Sequence, residues 1–428
     1  MRFLAGFALY VALCFGADSV AFVDVNVVPM DRNTVLEHQT VVVHGDRIAE
    51  TGPAKSVRVS PGSLVVDGRH QYLIPGLTDF HVHMPETDGD RKDVLKLFVA
   101  NGITTVVNMR GTPDILKLRD QVRRGKVIGP AIYTTGPYIN EPEFTSPEQV
   151  RDEVIAQKRA GYDFIKIHGD LSNAAYAALI DTAREQHIRV VGHVPAKLGI
   201  HAVIGKQAMI VHAEEFLYSA SASPEEIAKE MAHAGTEGPT WVSPTLAVFR
   251  EIIFQVSDID SVLQRPEMKY LPPYISASWQ PDKNVYALRW KIEKVPHFRA
   301  QYATMQAITK ALRDAGVPLL AGTDCLTTGI VPGFSMQDEL NNLVGAGLTP
   351  YEALRAATAN AAEFLGIAGV YGTVSKGKRG DLVLLESNPL ADITSVSNRV
   401  GVMLHGQWRT EDELRKEIDE MAARYGKH

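Results

Sequence analysis

Cysteine is nearly missing from this chain. Its 428 residues hold two, Cys14 and Cys325. Cys14 falls in an N-terminal stretch that reads as a leader, so one thiol remains after processing and no internal disulfide holds the fold. A basic excess is missing as well. There are 44 Lys and Arg against 50 Asp and Glu, a net charge of −6, with no long Lys/Arg cluster, which argues against nucleic acid as a main partner. Beyond Phe15 no apolar run reaches the roughly 20 residues that span a bilayer. No Gly-rich turn follows the first strand-like run of the central region, which counts against a doubly wound dinucleotide-binding sheet. What is present is ordinary globular material, 45% apolar and 22% charged, in a length that favours more than one domain.

The first residues have the build of a secretory signal. Arg2 supplies a positive start, Phe3 to Phe15 is uncharged and mostly apolar, and Gly16, Ala17, Ser19 and Ala21 are small. This predicts a signal peptide over 1–21, cleaved near Ala17 or Ala21, and a secreted or periplasmic protein. A membrane anchor is the rival, but the run is too short to span.

Residues 22–71 read as short strands between Gly/Asp turns, such as Thr40 to Val43 before His44-Gly45-Asp46-Arg47. The same style returns over 368–410, so the two chain ends together predict one small β-sandwich domain. Between them, 72–367 alternates strand and helix. Apolar runs at Leu77–Phe80, Thr104–Asn108, Ala131–Thr134, Phe164–Ile167, Arg189–Gly192, Met209–Val211, Trp241–Val242 and Leu319–Ala321 make eight. Ser146, Ser223 and Thr349 each precede a proline and an acid or amide three residues on, the pattern of a helix start. The fold class is therefore α/β, a (β/α)8 TIM-type barrel. Residues 411–428 read as a C-terminal helix. The stretch 252–299 breaks the rhythm and reads either as a lid or as a surface elaboration.

Catalytic groups of such a barrel stand at the strands' carboxyl ends. The first run ends in His81 and His83, which share one face of an extended chain and make a natural start for a metal site. The fourth carries Lys166 and leads to His168, the fifth to His193, the sixth to His212, and the eighth to Thr323-Asp324. Taken singly each has a structural explanation; together they mark one mouth.

The motifs Pro75-Gly76-Leu77-Thr78-Asp79-Phe80-His81-Val82-His83, Gly192-His193, Val211-His212-Ala213-Glu214 and Gly322-Thr323-Asp324 resemble the amidohydrolase superfamily. So does the tail from Ala356 to Ala362 and from Gly377 to Val383. Within it the chain is most similar to the imidazolonepropionase-like and prolidase-like hydrolases. The resemblance implies a divalent-metal site of one or two ions, zinc by default. His81, His83 and Asp324 would hold a buried ion, His193 and His212 a more exposed one, and Lys166 would bridge them as a carbamate. Two departures bear on the substrate: Gln337 stands where a histidine is usual, and Val194-Pro195 follows His193 where prolidase-like members often have a tyrosine.

The expectation is a metal-dependent amidohydrolase. A metal-activated water attacks a carbonyl, and Asp324 takes its proton and passes it to the leaving amine. The substrate is a small molecule such as a dipeptide, an N-acyl amino acid or a cyclic amide, contacted by Asn108, Arg110, Tyr138 and His168; loop packing and surface charge account equally well for the first three. An ester, lactone or phosphoester substrate and a catalytically inactive binding relative are the alternatives. A homo-oligomer is compatible with the composition.

Overall fold

The computed structural model describes residues 19–218, 223–233 and 239–426. The expected leader therefore lies, up to residue 18, outside the described residues. The chain opens with five strands: β1 (Ser19–Val27), β2 (Leu36–His44), β3 (Arg47–Pro53), β4 (Leu64–Asp67) and β5 (Tyr72–Pro75). β1 takes in Ser19, Val20 and Ala21, three residues that the sequence assigns to the leader. Val20 and Ala21 are buried, paired with Val43 and Val42 of β2.

The barrel follows with β6 (Leu77–Val82), β7 (Ile103–Asn108), β8 (Ala131–Tyr138), β9 (Phe164–Ile167), β10 (Arg189–Gly192), β11 (Met209–Val211) and β12 (Trp241–Ser243). They lie in sequence order as one parallel sheet. β6, β7, β9, β11 and β12 are buried along their whole length, as parallel strands covered by helices require. Helix starts form where hydroxyl residues predict them. Ser146 and Thr349 make reciprocal capping boxes with Gln149 and Glu352, and Ser223 exchanges two bonds with Glu226.

The eighth strand is a correction. Leu319–Ala321 forms only an isolated bridge to Val242. Pro318 has no N–H to donate, and the Ala321 N–H turns away to the Ala356 carbonyl. The segment still closes the ring: Leu320 N–H donates to Val242 O at 2.9 Å, and Phe80 N–H to Ala321 O at 2.9 Å.

The chain then returns as β13 (Leu382–Leu385), β14 (Arg399–Leu404) and β15 (Gln407–Thr410). Hydrogen bonds join all eight terminal strands into one sheet, in the order β15-β14-β13-β5-β1-β2-β3 with β4 also on β1. The expected sandwich is thus a single sheet folded on itself. Trp408 of β15 is four strands from Phe22 of β1, about 19 Å in a flat sheet, yet their rings meet edge to face at 5.1 Å. Val20, Phe22, Val41, Leu73, Leu384 and Met403 fill the space inside.

The segment 252–299 is helical, with Leu246–Ser257, Ile259–Leu263, Pro273–Ser278 and Val285–Arg289 preceding the long helix Val295–Asp314. Met268, Leu271, Ile275 and Trp279 give it a small core of its own against Val331. The terminal helix Glu411–Tyr425 buries Leu414, Ile418 and Met421 against Leu97 and Val99. Among the described residues no helix is long and apolar enough to cross a membrane.

Candidate metal centre

The site begins at the end of β6, where His81 points inward and is 1% exposed. Asp79, two residues earlier, fastens this end to the segment opposite. Its carboxylate accepts from Thr323 N–H at 2.9 Å, Thr323 Oγ1–H at 2.6 Å and His81 N–H at 3.2 Å. Asp324 N–H in turn donates to His81 O at 2.7 Å. Between the two segments lies Gly322, where a Cβ would stand 2.8 Å from that of His81. One end of the barrel is thereby locked with Asp324 Oδ1 3.3 Å from His81 Nε2 and 2.9 Å from His83 Nε2.

The other donors arrive from neighbouring strands. Gly192 has φ 134, and a Cβ there would meet Ile167 O at 2.1 Å. Glycine thus permits the close approach of β9 and β10 that sets His193 beside Lys166. His193 Nδ1 faces Ile167 O at 3.4 Å, which leaves Nε2 toward the centre. His212 follows β11. Its Nδ1 lies 2.6 Å from Thr245 Oγ1, whose own proton goes to Pro244 O at 2.8 Å. The hydroxyl therefore accepts from Nδ1–H, and His212 Nε2 keeps a free lone pair.

His81, His212 and Asp324 place ligand atoms within 4.8 Å of one another. The rings form a continuous row. His83 to His81 is 5.4 Å, His81 to His212 5.0 Å, His212 to His193 4.8 Å, and His193 to His168 4.7 Å. His212, Thr245 and Asp324 all take the left-handed conformation, at φ 67, 50 and 56. Each costs about 1–3 kcal/mol, and all three gather at one mouth.

Electrostatics suit a cation. Burial, with Lys166 nearby, holds His81 and His193 well below the usual histidine range and lowers His212 to about 4. These imidazoles are neutral at pH 7. Burial opposes the charge on Asp324, but His81 and His83 outweigh it and hold its carboxyl well below the ordinary value. Burial lowers Lys166 to about 8. Neutral imidazoles, an ionised carboxylate and a lysine close to losing its proton are the states in which these groups bind a divalent ion. Lys166 Nζ and His81 Nδ1 are buried with no hydrogen-bond partner among the described residues. Such orphans are what a missing ligand would satisfy.

The four expected substrate residues fall into two groups. Asn108 is buried and spends its amide hydrogens on Arg110 O at 2.8 Å and Thr134 Oγ1 at 2.9 Å, bracing the end of β7 against β8. Tyr138 is the last residue of β8. Its ring stacks on His168 at 4.4 Å, and the exposed Arg110 lies over the ring at 5.6 Å. Arg110, Tyr138 and His168 thus extend the row of rings. Sequence reasoning passes over Asp79 and Thr323, although both lie inside the quoted motifs. It also misses Glu215, whose carboxylate accepts from Val194 N–H at 3.2 Å and sits 3.9 Å from His193 Nε2. A second acid after His212-Ala213 is the only signal for it.

A parallel barrel whose carboxyl mouth gathers imidazoles, a buried lysine and a carboxylate defines a class, the barrel proteins built to hold metal. Within that class the amidohydrolase family matches residues 72–409, and the chain belongs to this family. Imidazolonepropionase of Geobacillus kaustophilus (strain HTA426) is 40% identical over 82 residues, 19% of each chain. The stretches matched in this and the next curated relatives span a fifth or less of those proteins. Among solved structures, bottromycin amidohydrolase superposes with TM-score 0.77 at 21% identity, over 96% of this chain and 91% of that one. A Xaa-Pro dipeptidase with methionine bound in its active site gives 0.71 at 18% identity, over 92% and 100%. At these identities the likeness establishes the fold, a parallel barrel with a smaller sheet made from both chain ends.

Proposed function

We propose that this protein is a metal-dependent hydrolase of amide bonds in small substrates, exported by its leader. The observation that carries the reading is the donor set, with His81, His212 and Asp324 inside 4.8 Å and Lys166 buried beside them without a hydrogen-bond partner among the described residues. His81, His83, His193, His212 and Asp324 would hold one or two divalent ions, zinc by default, and Lys166 would join them as a carbamate. When bound, such an ion polarises a carbonyl and brings the pKa of a water from 15.7 to about 7.

The chain's own groups supply the rest. The Asp324 carboxylate is the proton carrier, taking a proton from the attacking water and delivering it to the departing nitrogen. His81, His193 and His212 are neutral, so they do not compete for that proton. A cavity of about 250 Å³, with His168, His193 and Glu215 in its walls, opens beside the cluster and gives a small substrate room. Arg110 is placed to meet a substrate carboxylate as a fork donor. Family membership and the names of two structural neighbours, an amidohydrolase and a dipeptidase, favour the amide over the ester, lactone or phosphoester.

The test is a screen of dipeptides, N-acyl amino acids and cyclic amides against the purified, metal-loaded protein, with metal content measured in parallel. Turnover of an amide that a chelator abolishes and added metal restores is the expected result. A protein that binds no metal, or that cleaves esters and no amide, would overturn the reading.

A further inference from the structure

A second cavity, of about 320 Å³, lies between the barrel and the inserted helical segment. On its barrel side stands Phe249, whose ring meets that of His212 edge to face at 5.9 Å. On the other side stand Tyr286 and Trp290 of the insertion, both packed on Phe298, at 6.2 and 6.1 Å. Tyr218 lines this cavity and also the one beside His193, so the two meet at one side chain.

Among the described residues the lining carries two cations, Arg289 and Lys294, against one carboxylate, Glu214. The Arg289 guanidinium and the Lys294 ammonium lie over the Trp290 ring at 4.9 and 5.5 Å. Both are exposed, and neither has an ion-pair partner among the described residues. Glu214 accepts a hydrogen bond from the Tyr218 hydroxyl at 2.7 Å. Aromatic walls with two uncommitted cations select a planar aromatic group that carries negative charge.

The position decides which part of a substrate arrives here. The row of rings runs from Arg110 and Tyr138, through His168, His193 and His212, to Phe249 and this cavity. Two of the ligand side chains, His193 and His212, stand in the middle of this row, with a cation at each end. An amide held at the cluster would therefore extend both ways.

We infer that this cavity is the acyl pocket of the enzyme, and that the substrate class is an N-aroyl amino acid whose aromatic acyl group bears an acidic substituent. The inference rests on the amide-hydrolase reading for the identity of the bound part as an acyl group. The amino-acid carboxylate faces Arg110, and the acidic aryl group faces Arg289 and Lys294. The inserted segment is then a specificity element rather than surface decoration.

Two measurements on the full-length protein test this. The first titrates 2-naphthoate, following tryptophan emission and heat, on the protein as purified and after chelation. Saturable quenching is expected in both, with affinity lowered about tenfold or more in Arg289→Ala/Lys294→Ala. The second compares N-acetyl-, N-benzoyl- and N-(4-carboxybenzoyl)-amino acids. The carboxybenzoyl substrate should have the highest kcat/KM, and the double variant should lose that advantage through KM. Unchanged naphthoate affinity in the double variant, or an unchanged order of substrates, would overturn the pocket. Should no amide be cleaved at all, the hydrolase reading fails, and the naphthoate titration still decides the pocket.

Discussion

Thr245 accepts a 2.6 Å hydrogen bond from His212 Nδ1 while giving its own proton to Pro244 O. The direction of both bonds leaves His212 Nε2 as the donor that faces Asp324 and His81. Thr245 is itself set by the helix it precedes, Leu246–Ser257, whose first turn is held when Ala247 N–H donates to Glu339 at 2.8 Å. Removing the hydroxyl frees both the tautomer and the tilt of the ring. Thr245→Ala should weaken metal binding about 10- to 100-fold, read by competition with a chromogenic chelator. Thr245→Ser should restore it. Equal affinity in all three proteins would mean that the bond does not position the ligand.

Asp324 is assigned both a ligand and a proton role, and these can be separated. Asp324→Asn keeps an oxygen at the ligand position but cannot hold the proton. Turnover should fall about 10²- to 10⁴-fold with metal content retained, as measured by elemental analysis beside steady-state rates. A variant with full activity and full metal would move the proton role to another group, with Glu215, near His193, the first to examine.

Much of this centre is legible in the sequence because a barrel turns strand ends into neighbours. His81, His83, Lys166, His193, His212 and Asp324 each follow or sit within a short apolar run, and the closed sheet brings them to one mouth. Glu339 is not legible, because its contact with Ala247 arises from packing between helices. Nothing in the local sequence of Glu339 says that it reaches the helix after β12. The same limit explains the eighth strand. Leu319–Ala321 has a strand's composition, but Pro318 and the bond from Ala321 to Ala356 limit it to one bridge. Asn108 is read as a substrate contact from its place at a strand end, and only the coordinates show that its hydrogens are spent on Arg110 and Thr134.

Glu339 makes stability depend on pH. It is fully buried, and burial raises its carboxyl from 4.5 to about 8. The folded state therefore holds a proton that the unfolded chain has released between these values. Stability from this group is complete below pH 4.5 and is lost as pH rises through about 8. Glu339→Gln keeps an acceptor for Ala247 N–H and cannot ionise. The melting temperature of the natural protein minus that of Glu339→Gln should fall from pH 5 to about pH 8 and level off above it. A difference independent of pH would show that Glu339 does not titrate across this range.

The start of β1 bears on where a leader can end. Val20 and Ala21 are buried between β2 and β4, with Val20 opposite Val43 and Leu64, and Ala21 opposite Val42 and Val65. Processing after Ala17 keeps this strand whole, whereas processing after Ala21 removes its first three residues. Burying a valine side chain stabilises by about 1.5–3 kcal/mol, and the paired backbone groups of Val20 and Ala21 would be lost as well. A chain beginning at Phe22 should therefore unfold at lower denaturant than one beginning at Asp18, by about 2–4 kcal/mol in extrapolated stability. We propose that the exported protein begins at Asp18. N-terminal sequencing of material recovered from outside the cytoplasm checks this, and a mature terminus at Phe22 with undiminished stability would contradict it.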